Sequence, residues 1–482
     1  MEALLRWAAE LGVSDSPSPS PPSAPSCIGR SVLIADFPDA GGRGLAAARD
    51  LWRGELVLRV PRAALLTSDR VMDDDPRIAS AVASCLPRLS SVQTLIICLL
   101  AEVGRGNSSN WYLYLSQLPT YYTILATFND FETEALQVDE AIWVAQKALR
   151  GIRSDWQGAT PLMKGLGFKP KLLMFKSWLW AFATVSSRTL HIAWDDAGCL
   201  CPIGDLFNYA APDDDNSSEA DEDADDMMHQ QTNNMLGQTY FDSSERLTDG
   251  GYEDVNEYCL YARKRYRKGE QVLLAYGAYT NLELLEHYGF LLGENPNEKI
   301  YIPLDLDLCT IGTWPRDSLY ILPNGHPSFA LLCALRLWTT PTNRRKAVSH
   351  QIYSGSLLSI ENELEIMKWL VKKCEETLQQ LPTTIEFDEN LFALLCKLQN
   401  STSCMLERDQ SIFEKEFAAF FRFHSFELDR SMYSKLPFRL IRSLERWGLA
   451  VQWRCSYKRT LTKCIAHCKS LVHELSLQQN QQ

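Results

Sequence analysis

The stretch that decides the fold runs Lys268-Gly-Glu-Gln-Val-Leu-Leu-Ala-Tyr-Gly-Ala-Tyr-Thr-Asn-Leu-Glu-Leu-Leu-Glu-His-Tyr-Gly-Phe290. Lys268-Gly269-Glu270 forms a turn that leads into the apolar run Val272–Ala275. That run is short and closely bounded, which predicts a buried strand rather than a helix. Thr280 and Glu283 then have the spacing of a capping box, so a two-turn helix is predicted to begin there.

Two tyrosines stand at the ends of these predicted elements. Tyr276 ends the strand, and Tyr288 ends the helix just before Gly289, a residue that tolerates the left-handed backbone of a helix terminus. Tyrosines in these positions can converge on one pocket. The stretch therefore indicates a candidate site, whose chemistry the rest of the chain has to supply.

Length and composition predict an ordered protein of two or three domains with ample cores, because the chain has 482 residues and 46% of them are hydrophobic. Apolar runs such as Leu95–Ala101 are shorter than the roughly 18 to 20 residues that a membrane span needs. Residues 1–30 lack a long apolar core, which argues against a secretory signal. The 14 cysteines have no framework spacing, so we expect reduced thiols in the cytoplasm or nucleus. The Ser/Pro-rich stretch Ser14–Ser26 keeps a plastid location open.

Charge is unevenly distributed along the chain. The net charge is −12, and Asp213–Asp226 alone holds nine acidic residues, so the remainder stands near −3. No basic footprint typical of a nucleic-acid binder is present, and we expect no direct nucleic-acid partner and no membrane partner. The basic cluster Arg263–Lys268 leads into the predicted strand, which favours a solvated strand edge and turn over a nuclear-import signal or a nucleic-acid patch.

Periodicity predicts an α+β protein followed by a mostly helical domain. The predicted strands are Ser31–Phe37, Arg53–Pro61 and Thr189–Trp194. The predicted helices are 2–12, Ser91–Val103, Glu132–Arg150, Lys171–Ser187, Ala330–Trp338, Glu361–Leu378 and Asn390–Leu398. The predicted domains are an N-terminal helix and Ser/Pro linker (1–29), a β-rich domain (30–310) with a helical insertion (about 68–187) and a disordered acidic insertion (about 211–254), and a helical domain (320–480).

Common catalytic motifs are missing from the sequence. It has no Gly-x-Ser-x-Gly elbow, no phosphate-binding loop and no complete Gly-x-Gly-x-x-Gly. Cys464, His467 and Cys468 share one helical face and could offer three metal ligands, but no fourth ligand is evident, so ordinary core thiols are favoured and no metal is expected.

Three segments together carry a functional signal: Asp39-Ala-Gly-Gly-Arg-Gly44 with the residues up to Ala48, Ser187-Arg-Thr with Pro202–Tyr209, and Gly269–Phe290. Their order, with a helical insertion between the first and the second, resembles the SET-domain protein methyltransferases. More closely, the chain resembles the class of the Rubisco large-subunit lysine methyltransferase over about residues 30 to 470. The resemblance implies a SET-type β-rich domain with a helical insertion and a helical substrate-binding domain after it.

The resemblance also implies S-adenosylmethionine as the cofactor. In the family, the Gly-rich turn and the Asn-His pair of an Asp-Leu-x-Asn-His segment help to bind it. The matching positions here are Gly41, Gly42, Arg43, Asn208 and Tyr209. Tyr209 stands where the family has histidine, and a tyrosine can keep main-chain contacts to the cofactor but not those of an imidazole ring.

Further matched positions concern the substrate. Arg188 and Asp205 match positions near the substrate channel, Tyr276 matches the catalytic tyrosine, and Tyr288 matches an aromatic residue that lines the same channel. Each position also has an ordinary structural interpretation. Tyr276 could be a core residue at a strand end, Arg188 a cation at a helix C-terminus, and Asp205 a brace for its loop.

The resemblance therefore predicts a protein-lysine N-methyltransferase whose partner is a protein carrying the target lysine. Tyrosine rings and oxygens can stabilise positive charge near a transferring methyl group. Two other functions stay open: a non-catalytic SET scaffold that binds a partner protein, and a protein-histidine methyltransferase. The acidic run Asp213–Asp226 could recruit a basic partner or serve as a solvated spacer.

Overall fold

A computed structural model describes residues 1–17, 25–38, 42–212, 250–254, 256–304, 308, 311, 314–400, 414–426 and 436–480. Three predictions fall at least partly on other residues: Gly41, the acidic run Asp213–Asp226 and most of the insertion 211–254 lie outside the described ranges. The chain divides into two compact units. The first unit is Met1–Tyr122 with Ile152–Ala278, and the second unit is Thr123–Gly151 with Tyr279–Gln482.

The described strands, in chain order, are β1 (Val32–Phe37), β2 (Gly42–Ala47), β3 (Leu56–Pro61), β4 (Thr189–Ile192), β5 (Asp195–Leu200), β6 (Asn208–Tyr209), β7 (Gly250–Asp254), β8 (Glu257–Tyr261) and β9 (Gln271–Leu274).

The described helices are α1 (Glu2–Glu10), α2 (Ser68–Asp74), α3 (Pro76–Ser84), α4 (Ser91–Arg105), α5 (Tyr112–Leu115), α6 (Asp130–Glu134), α7 (Asp139–Gly165), α8 (Phe175–Arg188), α9 (Asn281–His287), α10 (Phe329–Thr339), α11 (Arg345–Tyr353), α12 (Ile360–Gln380), α13 (Ile385–Asn400), α14 (Glu414–Phe423) and α15 (Phe438–Gln479).

The first unit holds all three described sheets. Their strand orders are β1-β2-β9-β6, β3-β8-β7 and β4-β5. In the first sheet, β1 and β2 are antiparallel, with Phe37 opposite Gly42. Gly42 adopts a φ of +74°, which a glycine reaches without the steric cost that other residues incur. The described part of the Gly-rich segment, from Gly42 onward, therefore begins β2.

The N-terminal segment is built into the first unit rather than standing apart from it. One carboxylate oxygen of Asp15, a residue only 5% exposed, accepts hydrogen bonds from four successive backbone amides at residues 29–32. Ser14 forms an antiparallel β-bridge with Arg59 of β3. These contacts secure the beginning of β1.

One predicted helix is in fact two. The prediction of a continuous helix over Glu132–Arg150 is wrong, because the structure has α6, then a break, then α7. Gln137 lies in the break with a φ of +63°, a left-handed backbone that a helix cannot contain. The hydrophobic periodicity continues through the break, which is why it predicted a single helix.

Buried ion pairs fasten residues 123–151 to the helices of the second unit. Glu132 is fully buried and accepts hydrogen bonds from Arg446, at 2.6 Å from Nε and 3.0 Å from Nη2. Asp388, also fully buried, accepts from Arg454 Nη2 at 2.7 Å and from Lys458. Removing one partner of a buried pair leaves an uncompensated charge, so these contacts strongly specify how α6 and α13 pack on α15.

The described residues hold no helix with the length and apolar character needed to cross a membrane.

The capping box predicted at Thr280 and Glu283 is confirmed. The Thr280 hydroxyl accepts from the backbone amide of Glu283, and the Glu283 carboxylate accepts from the amide of Thr280 at 2.7 Å. Helix α9 is followed by Gly289, which has a φ of +81°. A Cβ added at Gly289 would lie 2.7 Å from the carbonyl carbon of Thr123, so this glycine is required both for its backbone and for its close packing.

We expect Gly289→Ala to destabilise the second unit by about 2 kcal/mol or more, because it adds left-handed strain to a backbone clash. Gly293→Ala is the matched control, since an added Cβ there meets nothing within 4 Å. Urea denaturation of both variants measures the difference. Equal stabilities would contradict the account of Gly289.

A buried carboxyl group in the second unit makes stability depend on pH. Glu298 is 4% exposed, and burial raises its pKa to about 7, although its Oε2 accepts from the amide of Asn281 at 3.2 Å. In the unfolded chain, the carboxyl group titrates near 4.5. Between these two values the folded state holds the extra proton, so stability falls as the pH rises from about 4.5 to about 7.

We expect Glu298→Gln to remove this loss, because the amide stays neutral and its oxygen can still accept from Asn281. The gain relative to wild type at pH 8 should be on the order of 3 kcal/mol, and it should vanish near pH 4. Thermal unfolding across this pH range is the measurement. Glu294→Gln, at an exposed position, is the control; a gain at pH 8 of the same size in both variants would rule out the assignment.

Candidate functional site

Strand β9 brings the two predicted cofactor segments together in the first unit. On one side, β9 pairs antiparallel with β2, with Leu45 opposite Val272. On the other side, it pairs parallel with β6, with Asn208 opposite Leu273. The Gly-rich beginning of β2 and the Asn208–Tyr209 strand therefore flank the same short strand, which ends just before Tyr276.

Gly44 supplies the close approach between these segments. A Cβ added at Gly44 would lie 2.7 Å from Asn208 Nδ2 and 3.0 Å from Gln271 Nε2, so the Asn208 amide lies directly over the glycine backbone. Gly42 has open space around it, and Arg43 donates from Nη2 to the carbonyl of Gln117 at 3.2 Å. Gly44 therefore lies against the side-chain amides of Asn208 and Gln271, and the guanidinium of Arg43 is held by Gln117.

Tyr276 and Tyr209 lie beside each other at the end of β9. Their ring centroids are 5.3 Å apart with an interplanar angle of 50°. Tyr276 donates its hydroxyl hydrogen to the carbonyl of Phe207. Tyr209, which is 7% exposed, donates to the carbonyl of Gly277 at 2.8 Å. The predicted catalytic tyrosine thus has a fixed orientation against β6.

Burial raises the pKa of Tyr276 well above its ordinary value, although nearby Arg188 acts in the opposite direction. Asp205 and Tyr209 raise the pKa further through their negative or potentially negative oxygens. Tyr276 is therefore a neutral phenol over the whole pH range in which proteins work. It can offer a hydroxyl group and a ring to a substrate, but not a phenolate base.

Arg188 and Asp205 form an ion pair. Arg188 Nη1 donates to Asp205 Oδ2 at 2.9 Å and to its backbone carbonyl at 3.2 Å. Tyr114 donates to the same Oδ2, also at 2.9 Å. The Asp205 side chain is only 3% exposed. The two residues predicted to lie near the substrate channel, Arg188 and Asp205, therefore bind each other. Two donors already occupy Oδ2 of Asp205.

Burial is the largest single influence on the pKa of Arg188 and lowers it, but the Asp205 carboxylate together with Tyr122 and Tyr114 outweighs burial and raises the pKa above its ordinary value. Burial, followed by Asp205, raises the pKa of Tyr114 as well. Arg188 Nε is buried without a hydrogen-bond partner. This cluster is thus a buried ion pair with one unsatisfied donor.

Backbone strain marks the loop that carries Asp205. Ile203 is fully buried and adopts a φ of +69°, which is rare for a β-branched residue and costs on the order of 1–3 kcal/mol. The next residue, Gly204, packs so closely that an added Cβ would lie 2.5 Å from Cys201 Sγ. The fold imposes this loop conformation, which directs Asp205 toward Arg188.

Tyr288 belongs to the second unit, where it follows α9. Its ring centroid is 5.5 Å from that of Tyr279 and 6.1 Å from that of Phe290, and its hydroxyl donates to the Tyr279 hydroxyl at 3.4 Å. Tyr276 belongs to the first unit. The convergence of Tyr276 and Tyr288 on one pocket stays a prediction.

The basic cluster Arg263–Lys268 lies between β8 and β9, where Tyr266 forms an isolated β-bridge with Leu51. Tyr266 at its centre is 2% exposed, and its backbone exchanges hydrogen bonds of 2.8 and 3.0 Å with Leu51. The guanidinium of Arg265 lies 4.4 Å from the ring centroid of Trp52. These contacts match a solvated strand edge and turn.

Sequence reasoning missed several residues of the cluster, notably Tyr114, Ile203 and Phe207. Tyr114 comes from helix α5, 91 residues before Asp205 in the chain, and no local pattern connects the two. Ile203 differs from its neighbours only in backbone conformation. Gly44 belongs to the Gly-rich segment but was not predicted as a site residue, although the spacing Gly42-Arg-Gly44 indicates a close backbone approach there.

Comparison with known proteins identifies the family. Residues 282–461 match the family model described as Rubisco LSMT substrate-binding. Protein SET DOMAIN GROUP 40 of Arabidopsis thaliana is 48% identical over 483 residues, which covers 98% of this chain and 96% of that protein. The chain belongs to the SET-domain protein methyltransferases of the Rubisco large-subunit methyltransferase class. Membership confirms the predicted α+β fold with its helical substrate-binding domain, and S-adenosylmethionine is the methyl donor of this family.

Solved structures agree on the fold of this SET-domain protein. The crystal structure of the SET domain of LSMT bound to lysine and AdoHcy superposes with a TM-score of 0.60 at 17% identity, covering 98% of this chain and 92% of that chain. A more distant relative, the actin-histidine N-methyltransferase of Gallus gallus, is 22% identical over 80% of this chain and 62% of its own length. The proteins similar to this chain therefore include relatives whose names give different substrates.

We expect Arg188→Met to destabilise the first unit by about 3–5 kcal/mol, because it leaves the Asp205 carboxylate buried without its cation. Adding Asp205→Asn should recover part of this loss, since the amide needs no counter-charge. Urea denaturation of both variants is the measurement. Arg77→Met serves as a control for an exposed ion pair and should change stability little. No recovery in the double variant would contradict a charge-based role for the pair.

Proposed function

We propose that this chain is a protein-lysine N-methyltransferase that uses S-adenosylmethionine. The observation that carries the proposal is Tyr276, fixed at the end of β9 beside Asn208 and Tyr209, in a chain whose helical domain matches the substrate-binding domain of a lysine methyltransferase class. A solved neighbour with the same fold is bound to lysine, which supports a lysine side chain as the acceptor.

The residues around Gly44 fit S-adenosylmethionine. Its amino-acid part carries a carboxylate, which suits the guanidinium of Arg43, and its polar groups suit the side-chain amide of Asn208. A glycine at position 44 lets that amide approach the backbone, with Nδ2 2.7 Å from where a Cβ would lie. When bound, S-adenosylmethionine supplies a methyl group on a positively charged sulfur.

Tyr276 serves the reaction as a neutral, oriented group. Its raised pKa keeps the hydroxyl protonated, and its hydrogen bond to Phe207 fixes where the oxygen lone pairs and the ring face point. Oxygens and ring faces that are held in place stabilise developing positive charge without reorganising during the reaction. Tyr276 therefore acts through position and electrostatics rather than by proton transfer.

The acceptor amine has to lose its proton before transfer. Free lysine has a pKa near 10.4, so only about four amines in ten thousand are neutral at pH 7, and a desolvated site increases that fraction. Asp205 is poorly suited as the base, because Arg188 and Tyr114 already donate to its Oδ2. We expect the proton to leave to water, so the initial rate of methyl transfer should rise with pH.

We expect Tyr276→Phe to reduce methyl transfer from labelled S-adenosylmethionine to proteins of a plant extract by about a hundredfold or more, since the oriented oxygen is lost. Tyr112→Phe, an exposed tyrosine that is 40% accessible, is the matched control and should retain full activity. Equal labelling by both variants, or no labelling by wild type across broad extracts, would count against the proposal.

Histidine is the second candidate acceptor, favoured by the actin-histidine N-methyltransferase relatives. Residue-level mass spectrometry of the labelled product distinguishes the two acceptors: methyllysine supports the proposal, and methylhistidine replaces it. A non-catalytic scaffold is the alternative if the cofactor does not bind at all. Titration calorimetry of the wild-type chain with S-adenosylmethionine tests that alternative without a protein substrate.

A further inference from the structure

Tyr209 and Tyr276 hold each other through a reciprocal pair of hydrogen bonds. The hydroxyl of Tyr276 donates to Phe207, two residues before Tyr209. The hydroxyl of Tyr209 donates to Gly277, the residue after Tyr276, at 2.8 Å. Each tyrosine therefore binds the backbone of the segment that carries the other. We refer to these two side chains and two carbonyls as the tyrosine clasp.

The parallel pairing of β6 with β9 explains how the tyrosine clasp forms. Tyr209 is opposite Leu274, and Tyr276 follows Leu274 by two residues. Side chains two residues apart along an extended segment share a face, and such diagonal neighbours lie within reach of aromatic side chains. The ring separation of 5.3 Å agrees with this arrangement.

The backbone at Gly277 is suited to this contact. Its φ of +141° is accessible to glycine and rarely to other residues. The residue is buried, so its carbonyl needs a partner inside the protein. Tyr209 supplies that partner. Losing the Tyr209 hydroxyl would leave a buried carbonyl short of a donor and would free the chain that immediately follows Tyr276.

The geometry points to Tyr209 as a positioning residue that orients the proposed catalytic Tyr276 through Gly277, an inference that rests on the proposed function. Tyr209 acts on the rate of transfer at saturating cofactor, and it does so through its hydroxyl. The ring alone, as in phenylalanine, would keep the packing but not the hydrogen bond. A histidine is shorter than a tyrosine and does not extend a donor to the carbonyl of Gly277.

The test compares Tyr209→Phe and Tyr209→His with wild type, with Tyr112→Phe as the matched control. Binding of S-adenosylhomocysteine by calorimetry reports on the cofactor site. Labelling of the same plant extract at saturating S-adenosylmethionine reports on transfer. Carbon-13 labelling at tyrosine Cζ, with the Tyr276 resonance assigned from its loss in Tyr276→Phe, reports directly on the environment of that ring.

We expect Tyr209→Phe to lower the rate at saturating cofactor about tenfold, the loss that follows from one hydrogen bond and a small misplacement. Binding of S-adenosylhomocysteine should stay within about twofold, and the Tyr276 resonance should shift. Tyr209→His should show at least as large a rate loss. Tyr112→Phe should match wild type in all three measurements.

Two results would overturn the inference. One is a wild-type rate and an unchanged Tyr276 resonance in Tyr209→Phe. The other is a rate loss that saturating cofactor fully restores, which would make Tyr209 a cofactor-binding residue instead. Failure of the proposed function is a separate outcome, because wild type itself would then give no labelling. The Tyr276 resonance would still decide whether Tyr209 positions that ring.

Discussion

The site depends on one constraint, the double pairing of the four-residue strand β9. Its antiparallel pairing with β2 positions the Gly-rich segment, and its parallel pairing with β6 positions Asn208 and Tyr209. A shift of one residue in either register would turn every side chain of the shifted strand to the other face. A Cβ at Gly44 would lie 2.7 Å from Asn208 Nδ2, so this register brings the Asn208 amide close to the backbone of β2. The relative positions of Gly44, Asn208 and Tyr276 therefore depend on the backbone pairing of β9.

Burial determines the chemistry of this site more than the number of charges does. Arg188 and Asp205 form an ion pair in a region where either charge alone would be costly, and burial raises the pKa of Tyr276, so its hydroxyl stays protonated. The cluster therefore presents a neutral phenol beside a buried ion pair.

Local patterns in the sequence predicted local structure well, as the capping box at Thr280 and the strand beside it demonstrate. Those features arise from residues a few positions apart. The break at Gln137 and the strained Ile203 were not predictable, because both are backbone conformations imposed by packing on residues that normally avoid them. Tyr114 was missed since its contact with Asp205 joins distant parts of the chain. The family resemblance identified which residues to expect in the site. The contacts among those residues could be described only from the folded structure.

Tyr209 shows why a departure from a family motif has to be judged in three dimensions. Judged from the sequence alone, a tyrosine in place of histidine means that any contact of the imidazole ring is lost. In the fold, its ring lies against Tyr276 and its hydroxyl reaches the carbonyl of Gly277. A buried carbonyl without a donor costs about 1–3 kcal/mol, so an oxygen at that distance has a structural reason to be there. Tyr209 supplies a polar contact that joins β6 to the chain beyond β9.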